Sequence, residues 1–101
     1  MHPLDICEGF DWDGGNSEKN WIRHKVLKSE CEDVFFNPRV VLDDIKHSKH
    51  ETRYLILGVT NLGRLLFLTV TIRGKKIRII SVRDMHKKER LKYEREIKTA
   101  S

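Results

Sequence analysis

Arg78-Ile79-Ile80-Ser81-Val82-Arg83 runs directly into Met85-His86-Lys87-Lys88-Glu89-Arg90-Leu91-Lys92-Tyr93. These residue types suit one kind of chemistry. Arginine presents a planar fork of N–H donors that meets phosphate oxygens two at a time and keeps its charge at any physiological pH. A strand carrying two arginines into a cationic helix therefore belongs against a polyanion, either RNA or DNA. Residues able to carry protons lie elsewhere in the chain, at His24, His47 and Glu51. The two cysteines, Cys7 and Cys31, sit in acidic surroundings with no CxxC pairing. They read as reduced thiols, and no four-ligand zinc spacing exists. No metal or other cofactor is expected.

Net charge is +5 over 101 residues, but the average hides a split. Residues 1–45 hold five Lys/Arg against ten Asp/Glu, and residues 46–101 hold fifteen against five. The basic half suits phosphate contacts. The acidic half argues against a uniformly cationic coat, and the alternative is charge complementarity within one fold. The length fits one domain, 1–101, with a modest core. The longest apolar stretch, Leu65 to Ile72, is interrupted by threonine. It falls far short of the roughly 20 residues a membrane span needs. With no cationic-then-apolar leader at the start, cytoplasmic localisation is the default expectation.

The elements that must position these groups form an α+β pattern. Asn16 or Ser17 caps a short helix to about Lys25. Ser29 and Glu32 have the capping-box spacing for a second short helix, ended near Phe36 by Pro38. Arg39 to Asp43 reads as an edge strand, and His47 to His50 as a polar loop. Strands follow over Arg53 to Val59, Arg64 to Arg73 and Lys76 to Arg83, with a glycine-first two-residue turn at Gly74-Lys75. Asp84 is the expected N-cap of a closing helix to about Lys98. The short turn pairs Arg73 with Lys76, Thr71 with Arg78 and Thr69 with Ile80. Leu66, Leu68, Val70, Ile72, Ile77 and Ile79 then share a core face. Phe67, Thr69, Thr71, Arg78 and Ile80 share a half-polar face, while Ser81 and Arg83 take the opposite parity where the strand leaves the sheet. On the closing helix His86, Arg90, Tyr93 and Ile97 form one stripe.

With the elements placed, the sequence resembles the BrnT family, ribonuclease toxins of type II toxin–antitoxin modules. Phe10-Asp11-Trp12-Asp13 with Asn20 and His24 fits the family's opening pattern, and Val34-Phe35-Phe36-Asn37-Pro38 its Val-Phe-x-Asp-Pro. Asp44, His47-Ser48 and Glu51-Thr52-Arg53 fit Asp-x-x-His-Ser-x-x-Glu-x-Arg. Gly58, Gly63-Arg64-Leu65-Leu66, Arg78-Ile79-Ile80-Ser81-x-Arg83 and Glu89-Arg90…Tyr93-Glu94 complete the series. Six pieces in order cover nearly the whole chain. The family usually has lysine where this chain has Asn16, and glycine where it has Lys25. A glycine there suits a left-handed helix end, so Lys25 is expected to be strained or the helix to end differently. Both departures leave room for a tuned or weakened toxin.

The resemblance implies a fold related to the RelE-type toxins and a ribonuclease that arrests translation. It further implies neutralisation by a cognate, BrnA-like, DNA-binding antitoxin, through which the pair occupies its own promoter DNA. Metal-free RNA cleavage needs the 2′-OH deprotonated, the phosphorane charge stabilised and the 5′-oxygen protonated. Arg64, Arg78 and Arg83 are the expected phosphate contacts. Glu51 and His47 are the expected proton carriers, with His24 more suited to tying a helix end to the sheet. Arg53, Thr69, Thr71, His86, Arg90 and Tyr93 are expected to line the RNA, although Arg53 can instead pair with Glu51, and Tyr93 can instead be core. Trp12 and Trp21 are expected to pack a small helix. The rival reading is a non-catalytic module that binds only antitoxin or nucleic acid. With an antitoxin covering the site, an acidic or aromatic partner segment over the Arg64/Arg78 face is expected.

Overall fold

The computed structural model describes residues 2–13, 15 and 24–100, the side chain of Ala100 apart. Four strands, β1 (Val40–Asp43), β2 (Arg53–Val59), β3 (Leu65–Arg73) and β4 (Lys76–Asp84), form an antiparallel sheet in the order β1-β2-β3-β4. Among the described residues there are two α-helices: α1 (Lys28–Asp33), continued by a 3-10 turn at Val34–Phe36, and α2 (Lys87–Ala100). Of the helix expected from Asn16 or Ser17 to about Lys25, residues 16–23, Trp21 among them, lie outside the described residues. Only α1 is therefore seen ahead of the sheet, where two short helices were expected.

The two faces of the sheet are covered differently. One carries Tyr54, Ile56, Leu66, Leu68, Val70, Ile77, Ile79 and Val82 and packs on Leu4, Val26, Cys31 and Val34. Among the described residues, the other is covered at one end, where α2 lays Tyr93 and Ile97 on Val40, Leu57, Leu65 and Phe67. The remainder of that second face stays open among the described residues. The outer edge of β4 is shielded by the N-terminal segment, which makes a parallel bridge from Phe10 to Ile77. Asp11 N–H donates to the Ile77 carbonyl at 2.8 Å. The start of that edge is thereby closed to other strands.

Gly74 takes φ +63°, as a glycine-first turn requires. Arg73 pairs with Lys76 and Thr71 with Arg78, as the turn dictates. Beyond them the expected register fails. A β-bulge leaves Ile80 unpaired, so Thr69 pairs with Ser81 and Phe67 with Arg83. The cause is a choice between neighbours. Strict alternation from Ile77 and Ile79 would bury Ser81 and expose Val82. Burying valine gains about 1.5–3 kcal/mol, whereas an unpaired buried hydroxyl costs about 1–3 kcal/mol. One inserted residue puts Val82 in the core, at 1% exposure, and turns Ser81 outward. It also places Arg78, Ser81 and Arg83 on one face, correcting their expected opposite parity.

Helix starts differ from the expectation too. Glu30, not Glu32, reaches back in α1, accepting from the Leu27 N–H at 2.9 Å, and Ser29 lies inside the helix. Asp84 is the last residue of β4 and not the N-cap of α2. Glu89 accepts from the His86 N–H at 2.8 Å instead, so the helix begins two residues later, at Lys87. Lys25 does adopt the left-handed conformation, φ +54°, that a glycine would take without strain.

Candidate active site

Arg64, at the start of β3, spends its whole guanidinium on the fold. Nε and Nη2 donate to Asp84 at 2.7 and 3.1 Å. Nη1 donates to the Lys25 carbonyl at 2.9 Å and lies 3.2 Å from Glu30, and Nη2 also meets the His24 carbonyl at 3.1 Å. The paired carboxylates raise the guanidinium pKa, and Arg64 holds the Asp84 carboxyl below its ordinary value. All five N–H donors are engaged, which makes Arg64 a clamp between α1, β4 and the segment at His24. It is not built as an expected phosphate contact. The His24 backbone is tied to the sheet, by its carbonyl.

Arg83 is held as firmly. Its two terminal nitrogens meet both oxygens of Glu89 at 2.8 and 2.9 Å, and its plane lies 4.3 Å from the Phe67 ring centre. This pairing lowers the Glu89 pKa. Arg83 thus fixes the start of α2 to the sheet. His86 and Arg90 are exposed beside it. Tyr93 is buried, with its hydroxyl donating to the Pro38 carbonyl at 2.7 Å and its pKa raised by burial. Tyr93 is therefore core and offers no stacking platform. Thr71 is likewise withdrawn from the expected RNA face: it is 1% exposed and donates to the Thr52 carbonyl at 2.8 Å. Its neighbour Thr69, opposite Ser81, stays half-buried on the open face.

The other predicted residues do come together. Asp44 ends the short link after β1, and a 3-10 turn over Ile45–His47 carries His47 back to it. His47 Nδ1 lies 3.1 Å from each Asp44 carboxylate oxygen. The Asp44 side chain is 9% exposed and that of His47 57%. Ser48 closes the loop, donating to the Asp44 carbonyl at 2.6 Å and accepting from the Arg53 N–H at 3.0 Å. His47, Glu51 and Arg53 then line a cleft of about 310 Å³ with Lys46, Lys49 and His50.

A second cleft, about 370 Å³, adjoins the first and shares Glu51 and Arg53. Its further lining includes Asp13, Arg73, Arg78 and Ile80. The ion pairs within it are unequal. Glu51 sits 3.6 Å from Arg53 and 3.8 Å from Arg73, at the loose end of ion-pair distances. Arg53 Nε is buried with no hydrogen-bond partner among the described residues. Arg78 instead meets Asp13 at 2.7 Å and Asp11 at 3.7 Å. Those carboxylates are set firmly, because Trp12 between them donates to Glu32 at 2.8 Å and Phe10 packs edge-on against Phe35. The acidic half of the chain thus pairs with the basic half at Arg64, Lys75 and Arg78, while Arg53 remains under-bonded beside Arg73 and Arg78. Sequence reasoning passed over Lys46, Lys49, His50 and Arg73. The density of cations between Lys46 and Arg53 was the available signal. Arg73 carried none, because only the β2–β3 pairing brings it beside Glu51.

The family model described as the ribonuclease toxin BrnT of type II toxin–antitoxin systems matches residues 12–89. Among solved structures, the crystal structure of the Brucella abortus ribonuclease toxin BrnT is similar, with a TM-score of 0.56 and 16% identity. The likeness covers 78% of this chain and 97% of that one, and at such identity it speaks to the fold alone. No curated protein sequence matches.

Proposed function

The chain belongs to the BrnT family of ribonuclease toxins of type II toxin–antitoxin systems, and on that footing we propose that it is a metal-independent endoribonuclease whose active surface is the double cleft about Glu51 and Arg53. One observation carries this reading. A histidine braced by a buried carboxylate opens beside a glutamate and an under-bonded arginine, in a cleft further lined by Lys46, Lys49 and His50. Such a cleft can hold an RNA phosphate and also move protons around it.

The scissile phosphate seats on Arg53, displacing the loose Glu51 contact, with Arg73 and Arg78 beside it and Lys46 and Lys49 on neighbouring phosphates. The 2′-oxygen attacks phosphorus in line. The O2′–P bond forms and the P–O5′ bond breaks, leaving a 2′,3′-cyclic phosphate and a 5′-hydroxyl. Glu51 and His47 divide the two proton transfers, one taking the 2′-OH proton and the other supplying the 5′-oxygen. Arg53 neutralises the charge that gathers on the equatorial oxygens. Thr69, His86 and Arg90 extend the open face along which the strand leaves.

In this reading the chain works in the cytoplasm as one domain, akin to the RelE-type toxins, and RNA cleavage halts translation. A BrnA-like antitoxin neutralises it through an acidic segment that competes for Arg53, Arg73 and Arg78, and carries the pair to promoter DNA. A second reading, a module that binds antitoxin without cleaving RNA, rests on the carboxylate partners of Arg64, Arg78 and Arg83. Expression without a partner gene separates the two. Growth arrest by the wild type and normal growth with His47→Ala/Arg53→Ala supports the nuclease. Equal growth of both strains at equal protein level excludes it.

A further inference from the structure

We propose that Asp44 is the positioning residue of the reaction, holding the His47 ring with its proton on Nδ1 so that Nε2 is the nitrogen offered to RNA. The inference rests on the reading that His47 transfers a proton. A carboxylate only accepts hydrogen bonds, so the ring nitrogen 3.1 Å from both its oxygens must be the donor. That leaves Nε2 with a lone pair in the neutral ring and an N–H in the charged one, so either proton-transfer role proceeds through a single exposed atom.

The burial contrast fits this division. Asp44 is withdrawn from solvent while His47 is mostly in it, an arrangement that serves the outer group. Asp44 is also clasped at its backbone. Its N–H donates to the Arg53 carbonyl at 3.0 Å, and its carbonyl accepts from Ser48 Oγ at 2.6 Å. The same clasp that sets Asp44 therefore sets the first residue of β2. The imidazole and the Arg53 guanidinium are placed relative to one another by one loop, and a displaced ring would be misaimed with respect to the phosphate that Arg53 holds.

Long-range ¹H–¹⁵N NMR of the imidazole nitrogens in the full-length protein tests the assignment without any substrate. The wild-type His47 ring is expected as the Nδ1–H tautomer when neutral, and Asp44→Ala is expected to move it towards Nε2–H. Asp44→Asn keeps the volume but offers Nδ1 an amide N–H donor, so it should also move the ring towards Nε2–H, and it guards against a fold too weak to measure in the alanine variant. On a defined RNA, Asp44→Ala should lower kcat about tenfold or more, with KM little changed. This is a share of the ~10²–10⁴ that a positioned acid or base contributes, and Asp44→Asn should lose as much, because its amide favours the wrong tautomer. A wild-type Nε2–H tautomer, or an effect of Asp44→Ala confined to KM, would overturn the role of Asp44. Full cleavage by His47→Ala would overturn the reading of the site itself, and it is told apart because the wild-type ring would still be the Nδ1–H tautomer.

Discussion

Arg64→Ala is expected to damage the fold and to spare the chemistry. The magnitude follows from its partners. The Asp84 side chain is 62% exposed, so that pair counts as a surface ion pair of ~0.2–1 kcal/mol despite its bidentate geometry. The Glu30 side chain is less open to water, the carbonyls of His24 and Lys25 are exposed, and hydrogen bonds of this kind contribute ~0.5–1.5 kcal/mol each. The loss is about 2–4 kcal/mol, which lowers Tm by roughly 10–25 °C in a domain near 100 residues. Acid adds a signature. Asp84 has a folded-state pKa below its unfolded value, so the pair stabilises the fold above the unfolded value and ceases to as pH falls through the folded one. The wild type should therefore lose more stability than Arg64→Ala on acidification through the carboxylate range. Thermal unfolding by circular dichroism at neutral pH and across that range measures both effects. An unchanged Tm together with lost RNA cleavage would refute the reasoning and return Arg64 to the phosphate.

Three further outcomes are expected. Asp11→Asn/Asp13→Asn uncovers Arg78, so a catalytically silent RNA analogue should bind more tightly at low salt. The slope of log K on log salt should steepen by about 0.7, one added phosphate contact on a single strand; unchanged binding in a titration series would exclude competition between those carboxylates and RNA. Cys31 is buried beside Glu30 and Glu32, and desolvation foremost pushes its thiol up to about 12. Iodoacetamide at pH 8 should modify Cys7 alone in the native protein and both thiols after unfolding, and equal native rates by mass spectrometry would contradict the burial. Tyr93→Phe should cost ~0.5–1.5 kcal/mol in urea unfolding by removing the bond to Pro38. It should leave RNA affinity alone, and a large affinity loss would mean the ring stacks on a base.

The strands were legible because their information is local. Arg53 to Val59 is bounded in the fold as its residues suggest, and the Gly74-Lys75 turn sets the first pairs of the last hairpin. The bulge was not legible, because it settles whether Ser81 or Val82 is buried, a choice visible only once the opposite layer exists. The site divides along the same line. His47, Glu51 and Arg53 lie within one loop and its strand, so their spacing alone groups them. Arg64, Arg78 and Arg83 look free in a basic half that carries few acids. Their partners lie 20, 65 and 6 residues away, and nothing short of the fold brings Asp84, Asp13 and Glu89 to them. Asp84 seemed a helix cap because its residue type suits one; the longer β4 claims it instead.

The most direct test of the account is cleavage of a 5′-labelled single-stranded RNA of defined sequence by purified protein, with EDTA present and at low salt. Fragments ending in 2′,3′-cyclic phosphate are expected. Loss of His47 or of Arg53 to alanine should slow the rate by about 10²-fold or more, as expected for a positioned proton carrier and for a charge-stabilising donor. Cleavage that proceeds at the wild-type rate in both variants, or that stops on adding EDTA to the wild type, would contradict it.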